Sequence, residues 1–481
     1  MSEENLSLVD TLLYKGKMIR DESQKTFARD LLSEFVRQIE QQGNTSGLYV
    51  GPFLSERIAQ IDEVITAQLN EVMHHKDFQK LEGSWRGLNY LVSKTNTSSY
   101  LKLRLFNVTR DELRKDLEKA VEFDQSQLFK KVYEEEYGTF GGHPYSCLMA
   151  DFEFGRNPMD VEFLDKLSNV AAAAHAPLIT AAHPKMFDIE TYEELGVPRD
   201  LAKLFDSLEL VKWNSFRGSE DSRYVTLVMP RVLYRLPYNG QTNPAEGIAF
   251  EEDVTGADSK KFCWGNASYV LAERITNAFT LYGWTAAIRG VEGGGIVEGL
   301  PAYTFRSTDG DIALKCPTET AITDRREKEL SDLGFMALCH CKGTDYAAFF
   351  GSQTAQKPKI YNLDDANANA SLSARLPYLL AASRFAHYIK VIMRDKIGSF
   401  MTKENVEVYL NSWIANYVLL NDDAPQHVKA KYPLREARID VFDVPGKPGV
   451  YRAVVYLRPH FQMEELTASI RLVATLPPPA K

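Results

Sequence analysis

The sequence lacks the features of a membrane-spanning or secreted protein. Within its 481 residues, no apolar run approaches the roughly 18 residues needed to cross a bilayer. The start, MSEENLSLVD, is acidic and has no basic region ahead of an apolar stretch, so we predict no secretory signal. Cysteine is scarce, with five residues scattered along a long chain. This usage predicts free thiols in a reducing cytoplasm.

An excess of positive charge is also lacking. The net charge is −9, which disfavours general nucleic-acid binding because phosphate contacts require clustered Lys and Arg. One region differs from the rest. Between Pro425 and His460, seven basic residues stand against three acids, a local charge of +4. Three interpretations stay open for this region: a solvated basic face, a surface for an acidic protein partner and, least favoured, a nucleic-acid surface.

No catalytic, cofactor or metal motif is complete. Cys339-His-Cys341 contains metal-ligand residue types but has neither the usual spacing nor a fourth ligand, so we predict core packing. Gly290–Gly299 lacks both phosphate-loop signatures, and its glycines favour a tight bend or a close contact instead. We therefore assign no catalytic residue, no cofactor and no metal ligand.

One enzymatic alternative remains. Asp151 and Glu153 alternate along a predicted strand and therefore share a face, and His183 follows a second predicted strand. A cleft built from these three residues would make the chain a soluble α/β enzyme with acid–base chemistry. Structural carboxylates on one strand face explain the same pattern equally well.

The composition and the element pattern predict a layered protein. With 44% hydrophobic and 25% charged residues, the chain is typical of two or three globular domains. Strands and helices alternate through its first half, which predicts an α/β domain. The predicted elements are strand Leu101–Val108, helix Arg110–Glu136, strand Tyr145–Phe154, helix Asp160–Ala176 and strand Pro177–Ala182.

Further elements follow, and they set the predicted boundaries. We predict a helix over Gly265–Tyr282, strands over Phe335–His340 and Tyr346–Phe350, and long helices over Leu379–Phe400 and Glu404–Leu420. The domain assignment is an N-terminal arm at residues 1–54, a middle α/β domain at 55–365 and a C-terminal helical plus β domain at 366–481.

The two ends of the chain carry candidate partner motifs. Leu6, Val9, Leu12 and Leu13 form the apolar stripe of a short helix, which either packs on its own domain or docks in a groove of another protein. The C-terminal residues form three predicted strands, Ala437–Val444, Val450–Pro459 and Leu466–Leu476. Exposed strand edges invite pairing with another chain. The candidate pairing residues are Ile439, Val441, Val454, Tyr456, Ile470 and Leu472.

The segment Trp213–Asn239 sets charges among bulky apolar residues. Charges in such surroundings need partners, because an isolated buried ion costs many kcal/mol. We therefore predict that this segment holds surfaces together within or between subunits. The structural ion-pair block that we assign comprises Arg217, Glu220, Asp221 and Arg223.

The sequence of Trp213–Asn239 resembles that of the large subunit of the type VI secretion contractile sheath, the family called TssC or VipB. The similarity extends in the same order and at about the same spacing from about Ser7 to the C-terminus. The other stretches that carry it are Lys80–Leu88, Ala150–Phe154, Phe262–Tyr269, Ala374–Tyr378 and Arg384–Lys390.

The resemblance implies a cytoplasmic, non-enzymatic, phage-tail-sheath-like protein. Its implied fold is multi-domain α/β (mixed α+β), with an N-terminal arm and a small C-terminal β-sheet that pairs with neighbouring subunits. The implied partners are the small sheath subunit (TssB or VipA type), other copies of the chain, an inner tube of Hcp type, a baseplate and the AAA+ ATPase ClpV. The resemblance would place ATPase recognition on Leu6, Val9, Leu12 and Leu13. A static scaffold that never contracts is a further alternative.

Overall fold

The computed structural model describes residues 11, 13, 14, 16, 18, 19, 21–41, 50–256, 258–306, 310–399, 401–446, 450–460 and 462. The chain divides into two compact units. The first comprises residues up to 73 together with 238–252, and the second comprises 74–237 and 253–481. The predicted boundaries at 54 and 365 follow sequence pattern and stay predictions.

Helices make up the larger share of the regular structure. In chain order they are α1 Lys25–Gln41, α2 Val50–Met73, α3 Lys76–Lys94, α4 Arg110–Lys119, α5 Gln127–Phe129, α6 Pro158–Ala173, α7 Leu201–Phe205, α8 Val211–Gly218, α9 Ser268–Tyr282, α10 Asp324–Asp332, α11 Asp364–Ser373, α12 Leu376–Asp395, α13 Lys403–Ala415 and α14 Gln426–Lys431. A π-helix, Lys130–Tyr137, continues α5. Among the described helices we find none with the length and apolarity of a membrane span.

The strands form one large sheet and three hairpin-sized pairs. They are β1 Leu148–Phe154, β2 Leu178–Ala182, β3 Val225–Met229, β4 Val232–Arg235, β5 Cys263–Gly265, β6 Ile296–Val297, β7 Tyr303–Arg306, β8 Ile312–Lys315, β9 Phe335–His340, β10 Ala347–Phe349, β11 Leu434–Asp443 and β12 Tyr451–Pro459. The large sheet has the order β1-β2-β3-β9-β10-β6, and the other pairs are β4-β5, β7-β8 and β11-β12. Strands β1, β2, β3 and β9 run parallel.

The large sheet lies between two layers of helix because its central strands are apolar on both faces. Odd-numbered β3 residues, such as Leu227, and odd-numbered β9 residues, such as Phe335, pack in the core that holds α6 and α8. The even-numbered Val228 and Met336 pack in a second core with α9. Successive side chains on a strand point to opposite faces, so near-continuous apolar runs indicate strands covered on both sides. The α/β prediction for this part of the chain is confirmed.

Helix α3 uses only one of its faces for this packing. Gly83 and Gly87 lie one turn apart and face β5 and α9, where an added Cβ at Gly83 would meet the Trp264 carbonyl oxygen at 2.6 Å. Glycine therefore permits the close approach of helix and strand. The opposite face of α3 carries Trp85, which is 62% exposed, and further exposed apolar residues.

Two predicted elements differ from the structure. The predicted strand Leu101–Val108 has no strand pairing and is wrong as an element of the described chain. The predicted helix Arg110–Glu136 is broken, because α4 ends at Lys119. The Asp116 carboxylate then accepts hydrogen bonds from the backbone N–H groups of Gln127 and Leu128, at 3.0 Å each, and so starts a new helical segment.

The C-terminal region builds its own core. Helices α12 and α13 and strand β11 meet around Trp284 and Phe385, whose rings stack with centroids 4.5 Å apart. The predicted helices and the first two predicted strands of this region are confirmed within a few residues. The predicted third strand, Leu466–Leu476, lies outside the described residues.

Candidate assembly surfaces and a polar cleft

The C-terminal hairpin pairs β11 with β12 in antiparallel register. Ile439 lies opposite Val455, and Val441 lies opposite Ala453. In an antiparallel pair, residues alternate between those that bond to the partner strand and those that direct their backbone groups outward. The outward groups decide whether each edge of the hairpin is available to another chain.

Helix α13 covers the outer edge of β11. The Asn411 side chain donates to the Ile439 carbonyl oxygen at 2.7 Å and accepts from the Ile439 N–H at 3.0 Å. The Glu407 carboxylate accepts from the Val441 N–H at 3.0 Å. Both strand residues are buried. This edge is therefore satisfied within the chain at Ile439 and Val441.

The outer edge of β12 pairs with no strand in the described part of the chain. Because Ile439 turns its backbone groups away from β12, its partner Val455 also turns its own N–H and carbonyl away from β11. The same parity applies to Ala453 and Leu457. Across the described part of the chain, these outward groups bond to nothing. An unpaired row of this kind is a template for a further strand.

The structure separates the six predicted pairing residues. Ile439 and Val441 lie on the covered strand, whereas Val454 and Tyr456 lie on the open one. Tyr456 is half-exposed, with the Arg438 guanidinium 4.7 Å from its ring centroid. Ile470 and Leu472 lie outside the described residues, and the pairing role of all six stays a prediction.

Ion pairs reduce the free charge of the basic C-terminal region. Three of its arginines lie beside acids: Arg435 with Asp422 at 2.6 Å, Arg438 with Asp440 at 3.0 Å and Arg458 with Glu436 at 3.5 Å. These pairs are largely exposed, so each contributes little to stability. Glu436 and Asp440 are already counted in the local charge of +4, so Asp422 is the one acid that these pairs add to the balance.

Of the four predicted ATPase-contact residues, the structure describes Leu13. Its side chain is fully buried. Leu6, Val9 and Leu12 lie outside the described residues, and recognition of this helix by another protein stays a prediction.

The predicted ion-pair block does not form a single cluster. Arg217 is buried and donates to two backbone carbonyls, those of Ala355 at 3.0 Å and Asp332 at 2.9 Å. Burial lowers the pKa of Arg217 to about 10. Glu220 instead pairs with Lys359 at 3.1 Å on the surface.

The other two members of the block lie beside these contacts. The Arg223 guanidinium lies 5.6 Å from the Tyr224 ring centroid. Burial raises the pKa of Asp221, and the charge of Arg223 acts against that rise. Arg217 therefore ties chain segments together through carbonyl groups, which the sequence pattern of opposite charges could not indicate.

A polar cleft of about 1630 Å³ opens at the carboxyl ends of β1, β2 and β3. Arg231 follows β3 and holds Glu153 of β1 through two hydrogen bonds of 2.7 Å. The same guanidinium lies 3.4 Å from Glu319, whose side chain is 4% exposed. His183 follows β2 and lies 3.8 Å from Glu153. Parallel strands end at one edge of a sheet, which brings these residues together.

The electrostatics of the cleft keep Glu153 ionised. Burial alone would raise its pKa, but the two hydrogen bonds and the charge of Arg231 lower the pKa of Glu153 below its usual value. Burial lowers the pKa of His183 and favours its neutral imidazole. Burial raises the pKa of Glu319. The geometry is that of a partly buried ion-pair network joining three strand ends.

The acid–base alternative needs Asp151, Glu153 and His183 to act together. The structure places Glu153 beside His183 but commits that carboxylate to Arg231. Asp151 instead lies near Tyr269, whose pKa rises through burial and through the charge of Asp151. Sequence reasoning missed Glu319, because it is 88 residues from Arg231 and no local pattern marks it.

The Cys339-His-Cys341 triplet is divided between core and surface. Cys339 is buried, whereas Cys341 lies beyond the end of β9 and is exposed. The prediction of core packing is confirmed for Cys339 and is wrong for Cys341, because the strand ends at His340 and the chain turns outward. In the described ranges, no group of three or more metal-ligand residues is placed to hold an ion.

Comparisons with known proteins cover nearly the whole chain. Residues 55–356 match the family described as EvpB/VC_A0108, tail sheath N-terminal domain, and residues 365–476 match its tail sheath gpW/gp25-like domain. The chain is 53% identical over 426 residues to the type VI secretion system sheath protein TssC1 of Pseudomonas aeruginosa, covering 87% of this chain and 85% of that protein.

Two solved assemblies contain chains of weaker similarity. One is the anti-feeding prophage baseplate, with a TM-score of 0.36 and 11% identity over 65% of this chain and 66% of that chain. The other is the contracted sheath of an extracellular contractile injection system, with a TM-score of 0.35 and 9% identity over 63% and 68%. The two domain matches and the 53% identity show that the chain belongs to the VipB family of type VI secretion tail sheath proteins.

Proposed function

We propose that this chain is the large subunit of a contractile sheath, and that it polymerises in the cytoplasm with a small sheath subunit of TssB or VipA type. Copies of the pair surround an inner tube of Hcp type and connect to a baseplate. Contraction drives the tube outward. The subunit makes and breaks no covalent bond in this role. Energy enters when assembly traps one packing of the subunits and is released when a more stable packing becomes accessible.

The open edge of β12 is the observation that carries the assembly part of this proposal. Its outward backbone groups, at Ala453, Val455 and Leu457, offer main-chain hydrogen bonds to a strand of a neighbouring subunit. Such bonds give affinity without a large apolar patch. They also keep neighbours linked while the subunits rotate, provided that the linking arms bend.

The exposed face of α3 supports a helical partner. Phe78, Leu81, Trp85 and Val92 recur every three to four residues or multiples of that spacing, and all four are exposed. An apolar stripe at this spacing fits against a helix of another chain. Single exposed apolar residues are normal on protein surfaces, but an aligned row with a tryptophan marks a contact surface. We assign this surface to the small sheath subunit.

Co-expression tests the proposal directly. The chain is produced with a small partner gene from the same cluster, and the product is viewed by negative-stain electron microscopy. We expect tubules in extended and contracted forms. Tubules of one fixed length-to-width state would favour a static scaffold. Monodisperse monomer with and without the partner would contradict polymerisation and favour the enzymatic alternative.

The ATPase contact is tested separately. Deleting residues 1–12 removes Leu6, Val9 and Leu12 but spares the buried Leu13. We expect the tubules to assemble normally and to resist disassembly by the AAA+ ATPase ClpV. A matched variant replaces the acidic residues Glu3 and Glu4 with Gln and should still be disassembled. Normal disassembly of the deletion variant would contradict the docking role.

A further inference from the structure

The five cysteines of the chain fall into two classes. Burial raises the pKa of three thiols to about 12, and these belong to Cys147, Cys263 and Cys339. At neutral pH these three thiols stay protonated, and the nucleophile of cysteine chemistry is the thiolate. Cys316 and Cys341 differ, because both thiols interact with the imidazole of His340. Thiolate chemistry is therefore favoured around His340.

Cys316 lies where the end of β8 meets the end of β9. It directly follows β8, and His340 is the last residue of β9. The Cys316 sulfur is 3.1 Å from the Thr318 hydroxyl oxygen. Burial acts to raise the pKa of the Cys316 thiol, but hydrogen bonding with the His340 imidazole and the Thr318 hydroxyl lowers that pKa below its ordinary value. Cys316 is half-buried, so a small molecule in solvent can reach a sulfur that these groups hold as thiolate.

A backbone carbonyl fixes which nitrogen of His340 can take a proton from the thiol. Nε2 of His340 lies 2.8 Å from the Thr344 carbonyl oxygen. A carbonyl oxygen only accepts hydrogen bonds, so Nε2 carries a proton and donates it, and Nδ1 is left as the acceptor. The Thr344 hydroxyl donates to the Cys341 carbonyl at 2.8 Å, which holds the turn after β9 in place. A thiol, an imidazole and a group that orients the imidazole form the arrangement that activates a cysteine nucleophile.

We propose that Cys316 is a thiol-modification site, at which the sulfur activated by His340 attacks a small disulfide such as glutathione disulfide. A bond forms between the Cys316 sulfur and one sulfur of the disulfide, and the S–S bond of the disulfide breaks. The thiol proton passes to Nδ1 of His340 and then to the departing thiolate. The small disulfide is itself the oxidant, so the exchange needs no further one. The product is a mixed disulfide on Cys316, which a reducing thiol removes by the same exchange in reverse.

The rate of mixed-disulfide formation tests the proposal. The full chain carrying Cys341→Ser, which removes the exposed thiol beside His340, is treated with excess glutathione disulfide at pH 7. The adduct on each cysteine is quantified by peptide mass spectrometry. We expect Cys316 to react at least about tenfold faster than the buried Cys339, and dithiothreitol to remove the adduct. Reaction of Cys316 no faster than that of Cys339 would overturn the proposal.

A change at His340 separates activation of the thiol from its accessibility. In the Cys341→Ser background, His340→Gln keeps an N–H donor for the Thr344 carbonyl but cannot take up the thiol proton. We expect the reaction of Cys316 at pH 7 to slow at least about threefold, because the loss of thiolate exceeds the gain in nucleophilicity that a higher pKa brings. His427→Gln, at an exposed histidine, is the matched control and should leave the rate unchanged. Equal rates in the His340→Gln and His427→Gln proteins would contradict the activating role of His340.

The pH profile of the reaction gives a readout that needs no change at His340. The rate at Cys316 in the Cys341→Ser protein is measured from pH 5 to pH 10. We expect its midpoint below the ordinary cysteine pKa of about 8.5, because His340 is the titratable group that faces the thiol and it favours the thiolate. A midpoint at or above about 8.5 would overturn the proposal, whether or not His340→Gln folds.

Discussion

The large mixed sheet and the C-terminal hairpin differ in how their strand edges are covered. Each of β2, β3 and β9 has a hydrogen-bonded strand on both sides. The hairpin has one edge covered by side chains of α13, and its other edge, at Val455, pairs with no described strand. Backbone groups of a strand bond to protein or to water. The comparison shows that the central strands of the sheet are paired within the chain, whereas β12 keeps backbone groups without a described partner, on which the proposed assembly role rests.

The largest stability effect is expected at the strand ends of the sheet. Arg231→Met leaves the carboxylates of Glu153 and Glu319 without their shared cation in a partly buried site. Breaking a buried ion pair on one side costs about 3–5 kcal/mol, and the partial exposure of Arg231 and Glu153 favours the lower end of that range. We expect a correspondingly lower urea midpoint for the soluble subunit. Arg325→Met, at a side chain that is 91% exposed, is the matched control and should leave the midpoint unchanged.

A pair of proline variants compares the covered and open edges of the hairpin. Ile439→Pro loses an N–H that bonds to Asn411 and should lower stability by about 3 kcal/mol. Val455→Pro loses an outward N–H on the open edge, where proline is tolerated, and should cost less than about 1 kcal/mol. Only the second variant should yield folded subunits that fail to form tubules. Normal tubules from Val455→Pro would mean that β12 is not the link between subunits.

Arg217 and Glu220 belong to the same predicted ion-pair block but differ in burial. Arg217→Met removes the donor for the Ala355 and Asp332 carbonyls and should cost about 2 kcal/mol, because buried acceptors stay unsatisfied. Glu220→Gln disrupts the exposed pair with Lys359 and should leave the urea midpoint unchanged. Equal effects of the two changes would contradict the assignment of Arg217 alone as the structural tie.

Acid should weaken the packing of α12 on the rest of its unit. His387 is buried, its Nε2 lies 2.9 Å from the Ala174 carbonyl oxygen, and burial lowers its pKa from 6.5 to about 4. The unfolded chain binds the proton more readily, so stability is complete above about pH 6.5 and falls as the pH drops toward 4. The loss between pH 7.5 and pH 5 should be about 2 kcal/mol.

Replacing His387 measures its contribution to the loss of stability at acid pH. His387→Gln keeps an amide donor for the Ala174 carbonyl but has no group that titrates in this range. The decrease in urea midpoint between pH 7.5 and pH 5 should therefore be smaller in this variant than in the unchanged protein. His427→Gln changes an exposed histidine and should keep the full decrease. An identical pH response of His387→Gln would assign the acid sensitivity to other groups.

Local sequence patterns predicted most helices and strands correctly. They failed for elements that depend on partners distant in the sequence. The helix at Ser268–Tyr282 and the strand at Phe335–His340 follow directly from periodicity and apolar runs. The segment Leu101–Val108 has the alternation of a strand, yet it pairs with no described strand. The sequence of this segment indicates a preference for extended backbone. A strand exists only when another backbone pairs with it.

The sequence by itself determined which faces of the elements are apolar and, through the order of its motifs, the sheath family. Tertiary structure alone decided which strand edges are covered within the described residues. Asn411 covers β11 from 28 residues away, and Arg231 binds acids 78 and 88 residues away. The physical reason is that periodicity is a local property, whereas hydrogen bonds and buried ion pairs depend on which distant groups the fold brings within about 3 Å.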